Sequence, residues 1–251
     1  MFVLFAPLVA VIIFLILERF NEKFSLDKRD FFFLVINLIA ITISLFISWV
    51  FLKPLVNFYS VFEWISLSSL SGPRWLSIGM SILVMDFAHY LIHRVYHKVP
   101  YLWKLHRLHH SDKKVDALTT LLHHPLEVAS TLILIIAFYV VFDIPVVIIA
   151  WFSYVMAIHS AFTHTKLKVP KSINRYLQYL IVTPHMHRIH HSYNTKEGNM
   201  NFSNVFPWWD VLFKTYLYKD QKRLQRLRFG IKKNESPRNN SLKSLLVNPF
   251  I

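Results

Sequence analysis

The residues best suited to chemistry in this chain are its histidines, which are crowded into one part of the sequence. All fourteen lie between residues 89 and 191. Residues three or four apart share one face of an α-helix. Three short words have this spacing, and each would place two or three imidazoles side by side. Because imidazole is the commonest protein metal ligand, these words predict a metal site: HRVYH (His93, His97), HRLHH (His106, His109, His110) and HRIHH (His187, His190, His191).

The number of histidines indicates two metal ions rather than one. The eight imidazoles of the three words exceed what a single ion can use. The chain has no cysteine, so thiolate ligands are excluded. Imidazole binds zinc, copper, iron and nickel, so the residues alone do not select the metal. His159 and His164 are five residues apart and share no face of a regular helix. One of them must lie at a helix end or a π-bulge, or one is not a ligand.

The elements that must position these histidines belong to a strongly apolar chain. Hydrophobic residues make up 54% of its 251 residues, charged residues make up 17%, and the mean hydropathy is +0.38. Soluble domains contain about 25% charged residues. We therefore expect an integral membrane protein. The net charge of +14 does not indicate a nucleic-acid partner, because nucleic-acid-binding domains are basic without being this apolar.

Apolar runs divide the chain into helices that could cross a bilayer, for which about 20 residues are needed. The runs predict an all-α fold: an integral membrane helical bundle of about four to five transmembrane helices, with a cytoplasmic helical cap that is rich in histidine. The first run has no basic leader and no small-residue cleavage site, so we expect a retained helix rather than a signal peptide. Five runs approach or exceed the required length, at 2–17, 31–52, 75–92, 125–142 and 146–160.

The basic residues orient the predicted bundle. Of the 28 lysines and arginines, all but Lys53 and Arg74 lie in the segments 18–30, 94–124 and 161–251. Positive residues favour the cytoplasmic side of a membrane, where they face anionic lipid. We therefore expect a multi-pass protein whose histidine-rich site faces the cytoplasm. Residues 53–74 would lie on the other side, and the stretch SVFEWISLSSLSG (60–72) within them could be an interfacial helix.

Longer words around the histidines resemble a known family. The stretches DFAHYLIHRVYHKVPYLWKLHRLHHSDKKVDALTTLLHHPLE (Asp86 to Glu127), THTKLKVP and TPHMHRIHHSYNTKEGNMNFSNVFPWWDVLFKTY are similar to the fatty acid hydroxylase superfamily, also called the sterol desaturase family. The similarity runs from about Asp86 to Tyr216. It implies N-terminal membrane helices in 1–72, a catalytic domain in 73–220 and a basic tail in 221–251. It also implies two iron ions, O₂ and a lipid-like substrate. Zinc could replace the iron on purification.

The resemblance also implies a ligand set. Matched position by position, the family's metal ligands fall on ten histidines: His93, His97, His106, His109, His110, His159, His164, His187, His190 and His191. His123 and His185 stand at positions that vary in the family, and we expect neither to be a ligand.

Six further residues are expected beside the metals: Asp86, His89, His124, Glu127, Asn201 and Asp210. Asp86 could orient an imidazole by accepting its second N–H, or it could equally have a structural role at a helix end. His89 is either a neighbour of the site or a spare ligand. Asp210 could pin the C-terminal part of the chain against the site.

Two departures from the family pattern lie outside the ligands. Members often have glycine after an asparagine and an aromatic residue, where this chain has Asn201-Phe202-Ser203. Lys214 stands where the family's FGTY word has glycine. Because these positions are not ligands, the departures weaken assignment to a substrate subgroup and leave the predicted metal site intact.

The function that the resemblance implies is that of a membrane-bound di-iron oxygenase. It would use O₂ to hydroxylate or desaturate an unactivated C–H bond of a lipid that enters from the bilayer. The sequence shows no flavin, haem or nicotinamide motif, so electrons would come from a separate reductase or small carrier. The basic segment KDQKRLQRLR could dock an acidic carrier, or simply face solvent or lipid.

Two other classes of protein could use these histidines. A zinc-dependent membrane hydrolase needs three ligands and an open position, usually beside a glutamate base, and the chain has no HExxH word. A metal transporter or metal-binding protein would have ligands near mid-membrane. Here the histidines lie at the ends of the predicted spans.

Overall fold

The computed structural model describes residues 2–18, 27–59, 66–67, 69, 71–232 and 250. Within these ranges the chain is helical and has no named strand; Ser192 and Phe229 form an isolated bridge. The predicted all-α fold is confirmed. The helices are α1 (Phe2–Glu18), α2 (Lys28–Tyr59), α3 (Arg74–Lys98), α4 (Pro100–His110), a 3₁₀ helix (Ala117–Leu121), α5 (Pro125–Val141), α6 (Val146–His164), α7 (Lys171–Leu177), α8 (Pro184–His190), α9 (Thr195–Gly198), α10 (Trp208–Leu212) and α11 (Gln221–Leu224).

The five long apolar helices α1, α2, α3, α5 and α6 form where the apolar runs predicted spans. By length and composition, Arg74–Lys98 and Val147–His164 could cross a membrane, whereas the apolar helices Val9–Glu18 and Pro125–Val141 are shorter. Most of the predicted interfacial helix after residue 59 lies outside the described residues.

The N-terminal helices pack directly on the helices that follow α4. Helix α1 lies against α6, and α2 lies against α5. One buried cluster joins Val11 of α1 and Phe33 of α2 to Leu108, Leu118 and Ala161. Residues from 1–72 and 73–220 therefore share one hydrophobic core. A second cluster holds α3, α5 and α6 together through apolar side chains such as Met85, Ile135 and Phe152.

A buried ionic network fixes the loop between α4 and the 3₁₀ helix. The Arg29 guanidinium donates to the Asp112 carboxylate at 2.5 Å and to Asp116 at 3.0 Å. Asp116 also caps the 3₁₀ helix by accepting from Leu118 N at 3.2 Å. Removing one member of such a buried network leaves uncompensated charge, so this loop is strongly constrained. It follows the histidines of α4 directly.

Candidate metal centre

Two helices that meet at a sharp corner carry the first two histidine words. His93 and His97 occupy the last two turns of α3, and only Val99 separates α3 from α4. Pro100 is the first residue of α4, a position where its missing N–H costs nothing. The corner folds α4 back on α3. The ring centroids of His93 and His106 are therefore 5.0 Å apart.

The remaining histidines come from the ends of α6 and α8. His164 is the last residue of α6, so one of the two histidines with five-residue spacing does lie at a helix end. Pro184 opens α8, and His187 and His190 lie in that helix. His191 is the C-cap of α8.

Nine of the fourteen histidines meet in two neighbouring groups. The first, which we term the five-histidine group, is His93, His97, His106, His110 and His190. The second, the four-histidine group, is His109, His164, His187 and His191. Within each group one ring nitrogen per residue lies within 4.8 Å of the others. The groups adjoin, since the rings of His110 and His191 stack at 4.5 Å.

The five-histidine group is held in place through the Nδ1 atoms of its rings. His93 Nδ1 lies 2.8 Å from the Phe202 carbonyl oxygen, and His190 Nδ1 lies 2.9 Å from that of Met200. His106 Nδ1 lies 2.7 Å from Glu127 Oε1. A proton on Nδ1 leaves Nε2 with a lone pair, which is how most metal-ligating histidines are oriented.

The Nε2 atoms of the five-histidine group are therefore available to bind an ion. Those of His97, His106, His110 and His190 are buried and have no hydrogen-bond partner in the described part of the chain. A buried unpaired polar atom is costly. A cation within the group would remove this cost, so the residues fit a metal ion by donor chemistry as well as by geometry.

The four-histidine group is drawn together at its Nε2 atoms. His164 Nε2 lies 2.9 Å from His187 Nε2, 3.2 Å from His191 Nε2 and 3.2 Å from His109 Nε2. His164 Nδ1 lies 2.8 Å from the Ser160 carbonyl oxygen, to which it can donate. Nε2 of His164 then presents a lone pair to its three neighbours, an arrangement that a shared cation would satisfy.

One left-handed residue directs two backbone carbonyls at the five-histidine group. Asn201, between Met200 and Phe202, has φ +57°. Asparagine tolerates this conformation better than most residues. Its side chain is anchored to the backbone of Met186 and of Leu217, with Asn201 Oδ1 accepting from Leu217 N at 2.7 Å. Asn201 therefore lies near the site, as expected, and acts through the neighbouring carbonyls.

The surroundings keep the clustered imidazoles of α4 and α8 uncharged. Burial lowers the pKa of His190 to about 3. Burial and the neighbouring rings also hold the pKa of His109, His110 and His191 well below the ordinary value. Metal ligation requires neutral imidazole. These rings are therefore in the binding form at neutral pH.

Two histidines, one on α3 and one on α6, belong to neither group. His159 lines a large cavity between α5 and α6 and lies against the backbone of Val182 and Asn204. His89 Nδ1 lies 2.7 Å from the Met85 carbonyl oxygen, and its ring also lines the cavity. The structure thus brings together nine of the ten histidines matched to ligands and leaves His159 apart.

Glu127, His123 and His124 lie at the start of α5, beside the metal groups. Glu127 Oε1 accepts from His106 Nδ1 and lies 2.9 Å from His123 Nδ1. The ring of His123 stacks on His109 at 4.4 Å. His124 caps α5 by accepting from Leu126 N at 3.1 Å. Sequence reasoning did not identify that His123 bridges Glu127 and a clustered histidine. Its contact with Glu127 has i, i+4 spacing, but His123 precedes α5, and its contact with His109 is made only when α4 and α5 pack together.

The two aspartates hold the loop that carries the carbonyls. Asp86 accepts from Trp209 Nε1 at 2.8 Å and from the N–H groups of Val205 and Phe206, so these contacts bind the loop rather than an imidazole. Asp210 accepts from Phe202 N at 2.8 Å and Ser203 N at 2.9 Å. Asp210 therefore acts on the backbone next to Asn201, and Asp86 acts on the same loop a few residues further along.

His185 lies away from the metal groups. Its Nε2 lies 2.6 Å from the Lys219 carbonyl oxygen, and its ring stacks on Tyr218.

A cavity of about 740 Å³ begins at the histidine groups and extends between α5 and α6. His93 and His106 of one group and His109, His164 and His187 of the other lie in its wall. Apolar side chains form most of the remainder, including Ile135, Ile136 and Ile149.

A polar pocket of about 360 Å³ reaches the five-histidine group from another side. His97 and His110 lie at its base together with the half-buried Trp103. The indole centroid is 5.0 Å from that of His97 and 5.4 Å from that of His110. Lys98 and Lys232 line the pocket, and among the described residues that line it none is acidic.

Comparison with known proteins adds a family to this geometry. Residues 78–215, more than half of the chain, match the sequence model of the fatty acid hydroxylase family. The chain is 25% identical over 167 residues to an ornithine lipid hydroxylase of Rhizobium tropici, covering 65% of this chain and 47% of that protein. It is 28% identical over 146 residues to alkylglycerol monooxygenase of Homo sapiens, covering 57% of this chain and 31% of that protein. It is 26% identical over 155 residues to a C-4 methylsterol oxidase of Schizosaccharomyces pombe, covering 60% of this chain and 50% of that protein.

The chain spans at most about half the length of these relatives. No solved structure matches it.

Proposed function

The chain belongs to the fatty acid hydroxylase family, and from this we propose that it is a membrane-bound di-iron oxygenase acting on a lipid. It would use O₂ to hydroxylate, or to desaturate, an unactivated C–H bond. The observation that carries the proposal is the position of two adjacent histidine groups at one end of a largely apolar cavity. A lipid chain in that cavity would lie against both groups.

The proposed ligands are the nine clustered histidines. The five-histidine group would hold one iron and the four-histidine group the other, and iron bound there would supply the redox chemistry by which O₂ is activated. In hydroxylation, one oxygen atom enters the C–H bond and the other leaves as water, which consumes two electrons and two protons. His159, outside both groups, is proposed as a cavity residue rather than a ligand.

The protein's own residues have three tasks in this proposal. The Met200 and Phe202 carbonyls and the Glu127 carboxylate orient the imidazoles. The apolar wall of the cavity excludes water from the reacting carbon. The same wall restricts the movement of the chain, so that one carbon stays beside the histidines.

An external electron donor is part of the proposal. The polar pocket over Trp103 is the proposed approach of a small acidic carrier, because the indole contacts two clustered histidines and the pocket lining is basic. Charge complementarity of this kind accelerates encounter between transient redox partners. Trp103 would separate the carrier from the five-histidine group.

The location is also proposed. We place 1–72 as N-terminal membrane helices, 73–220 as the catalytic domain and 221–251 as a basic tail. The protein would be multi-pass with the histidine site facing the cytoplasm, which the basic segments 94–124 and 161–251 support.

Lipid profiling tests the function directly. We expect cells that express the chain to gain lipids heavier by one oxygen or lighter by two hydrogens, and cells that express His109→Ala or His190→Ala not to gain them. Iron and zinc are measured in the same purified proteins, since zinc can displace iron at nitrogen ligands. Unchanged lipids together with one tightly bound zinc per chain and no O₂ consumption would favour a hydrolase instead.

A further inference from the structure

The 202–215 segment, which follows Asn201, runs along α3 away from the five-histidine group and then turns back. Its first carbonyl oxygen lies 2.8 Å from His93 Nδ1. The N–H groups of its fourth and fifth residues both donate to Asp86 at 3.1 Å. At its end, the Thr215 hydroxyl lies 3.1 Å from the Tyr90 hydroxyl. Seven residues of helix rise about 10 Å, so the segment descends about 10 Å along α3 before it returns.

The middle of α3 sets the depth that this segment reaches. Arg74–Lys98 has 25 residues and could cross a membrane. At 1.5 Å per residue it is about 37 Å long, whereas the hydrocarbon core of a bilayer is about 30 Å thick. Asp86 is the middle residue of α3, so a core placed anywhere along this helix includes Asp86 and Phe87. The rings of Phe87 and Trp209 are 4.8 Å apart. With α3 spanning, α10 is therefore at the depth of the acyl chains.

The donors at this depth are satisfied within the protein. Irregular backbone is tolerated in hydrocarbon only where other protein groups satisfy it. Asp86 accepts from two backbone N–H groups of the segment and from Trp209 Nε1. Asp210 accepts from two more backbone N–H groups and from the Thr215 hydroxyl. The two carboxylates thus provide the acceptors that a loop inside a leaflet requires.

The outer face of α10 is apolar and uncovered among the described residues. Trp208, Val211 and Leu212 have the i, i+3, i+4 spacing that places side chains on one helical face. They are 45%, 60% and 65% exposed. The polar atom of the indole is satisfied, because Trp208 Nε1 donates to the Tyr179 carbonyl oxygen at 2.8 Å. A contiguous apolar face of this kind marks an interaction surface.

The surface continues to α7, where basic residues join the apolar ones. Four large side chains in or just after α7 are more than half exposed: Ile173, Tyr176, Tyr179 and Leu180. Lys171 and Arg175 lie among them, and residues 161–196 contain no aspartate or glutamate. Tyrosine and tryptophan beside lysine and arginine are typical of the boundary between lipid and water. A basic surface without acidic residues is complementary to anionic headgroups.

We propose that the 202–215 segment is re-entrant, with the outer face of α10 embedded among the acyl chains of the leaflet on the histidine side. Helix α7 lies at the headgroups of the same leaflet, where Lys171 and Arg175 face anionic lipid. A soluble protein partner would not reach a surface level with Asp86. Because the segment begins at the carbonyl that orients His93, its insertion also fixes the depth of the five-histidine group. The proposal uses the membrane placement of α3 and is independent of the oxygenase chemistry.

The test is the depth of single fluorescent labels in the full-length protein, held in nanodiscs of phosphatidylcholine and phosphatidylglycerol. The chain has no cysteine, so Leu212→Cys provides one labelling position. Met80→Cys on α3 is the control for lipid, and Tyr193→Cys in the polar pocket is the control for water; these two residues are 40% and 41% exposed.

We expect lipids brominated on their acyl chains to quench the labels at 212 and 80 strongly and the label at 193 little. Aqueous iodide should give the opposite order. Iodide quenching at 212 that equals quenching at 193 would overturn the proposal. Iodide quenching at 80 as well would remove the membrane placement of α3 and the proposal with it. Neither result depends on whether the protein oxidises a lipid.

A label on α7 tests the headgroup level. We expect a label at Tyr176→Cys to be quenched best by a lipid that carries a spin label on its headgroup. Its emission should shift to the blue when phosphatidylglycerol is added to pure phosphatidylcholine, and Lys171→Gln with Arg175→Gln should abolish that shift. Lys222→Gln with Arg223→Gln, in the basic tail, should preserve it. Quenching at 176 by iodide alone would place α7 in water and contradict its assigned position.

A charge on the outer face of α10 provides a test without any label. Leu212→Glu places a carboxylate among acyl chains, and we expect the melting temperature in nanodiscs to fall by about 5 °C or more. Tyr193→Glu, at a position surrounded by water, should leave the melting temperature unchanged. Equal melting temperatures of the two variants would refute the insertion of α10.

Discussion

The five-histidine group and the four-histidine group hold their rings in different ways. In the first, three Nδ1 atoms are within hydrogen-bond reach of oxygens of Phe202, Met200 and Glu127. In the second, His164 Nδ1 reaches the Ser160 carbonyl oxygen, while Nδ1 of His109 and of His191 is buried without a hydrogen-bond partner in the described residues.

This difference shows how much of each site is built before an ion arrives. Oxygens behind the imidazoles fix ring orientation and raise ligand basicity. The five-histidine group has such support from three directions. The four-histidine group relies more on the ion itself to hold its Nε2 atoms in place. We therefore expect the two ions to be bound with unequal affinity.

The largest effects should come from removing a ligand from each group in turn. His190→Ala and His164→Ala should both abolish product formation, because each removes a nitrogen donor from one ion. We expect His164→Ala to retain about one tightly bound ion per chain, since the better supported group is intact. His190→Ala should retain a more weakly bound ion. Metal analysis after dialysis against a chelator measures both, and equal retention by the two variants would show that the groups do not differ.

Loss of the Glu127 carboxylate should affect one group selectively. Glu127→Gln weakens the acceptor of His106 Nδ1, so the five-histidine group should lose about 10- to 100-fold in metal affinity. Glu197→Gln is the control, because that carboxylate pairs with Lys219 outside both groups. Competition with a coloured chelator measures the metal affinity of both variants. An affinity for Glu127→Gln that matches the control would remove the proposed orienting role.

Gradual chelation of the unaltered protein should release the ions in two steps. We expect the four-histidine group to lose its ion at a chelator concentration about tenfold lower than the five-histidine group does. The reason is that Nδ1 of His109 and of His191 has no oxygen acceptor among the described residues. Spectra of cobalt-substituted protein distinguish the steps, and His164→Ala identifies the one that is missing. Release in a single step would mean that the two sites bind as one unit.

The smallest effect is expected at Asn201. Its φ of +57° costs alanine about 1–2 kcal/mol, whereas glycine adopts it freely. Asn201→Ala should therefore loosen metal binding a few-fold more than Asn201→Gly, although both lose the same side-chain contacts. Lys214→Ala is the control, since Lys214 has φ +58° but lies outside both groups. If alanine and glycine at 201 bind metal equally, the carbonyl geometry does not depend on this residue's conformation.

The apolar helices and the histidine words could be read from the sequence because both are local patterns. An apolar run predicts a helix in lipid whatever surrounds it, and residues three or four apart share a helical face in any fold. The sequence thus determined that α3, α4 and α8 each carry clustered imidazoles. It also indicated two ions from the number of histidines alone.

The division of those histidines into two groups was decided only by the tertiary structure. His109 and His110 are consecutive, yet they belong to different groups, and so do His190 and His191. Consecutive residues point about 100° apart on a helix. The two members of each pair can therefore join different groups only if helices that carry the other ligands pack on two sides. The α3–α4 corner and the ends of α6 and α8 provide those directions. The carbonyls of Met200 and Phe202 also reach the five-histidine group, through the left-handed turn at Asn201. The sequence could not predict this, because every residue has a backbone oxygen and only the fold decides where it points.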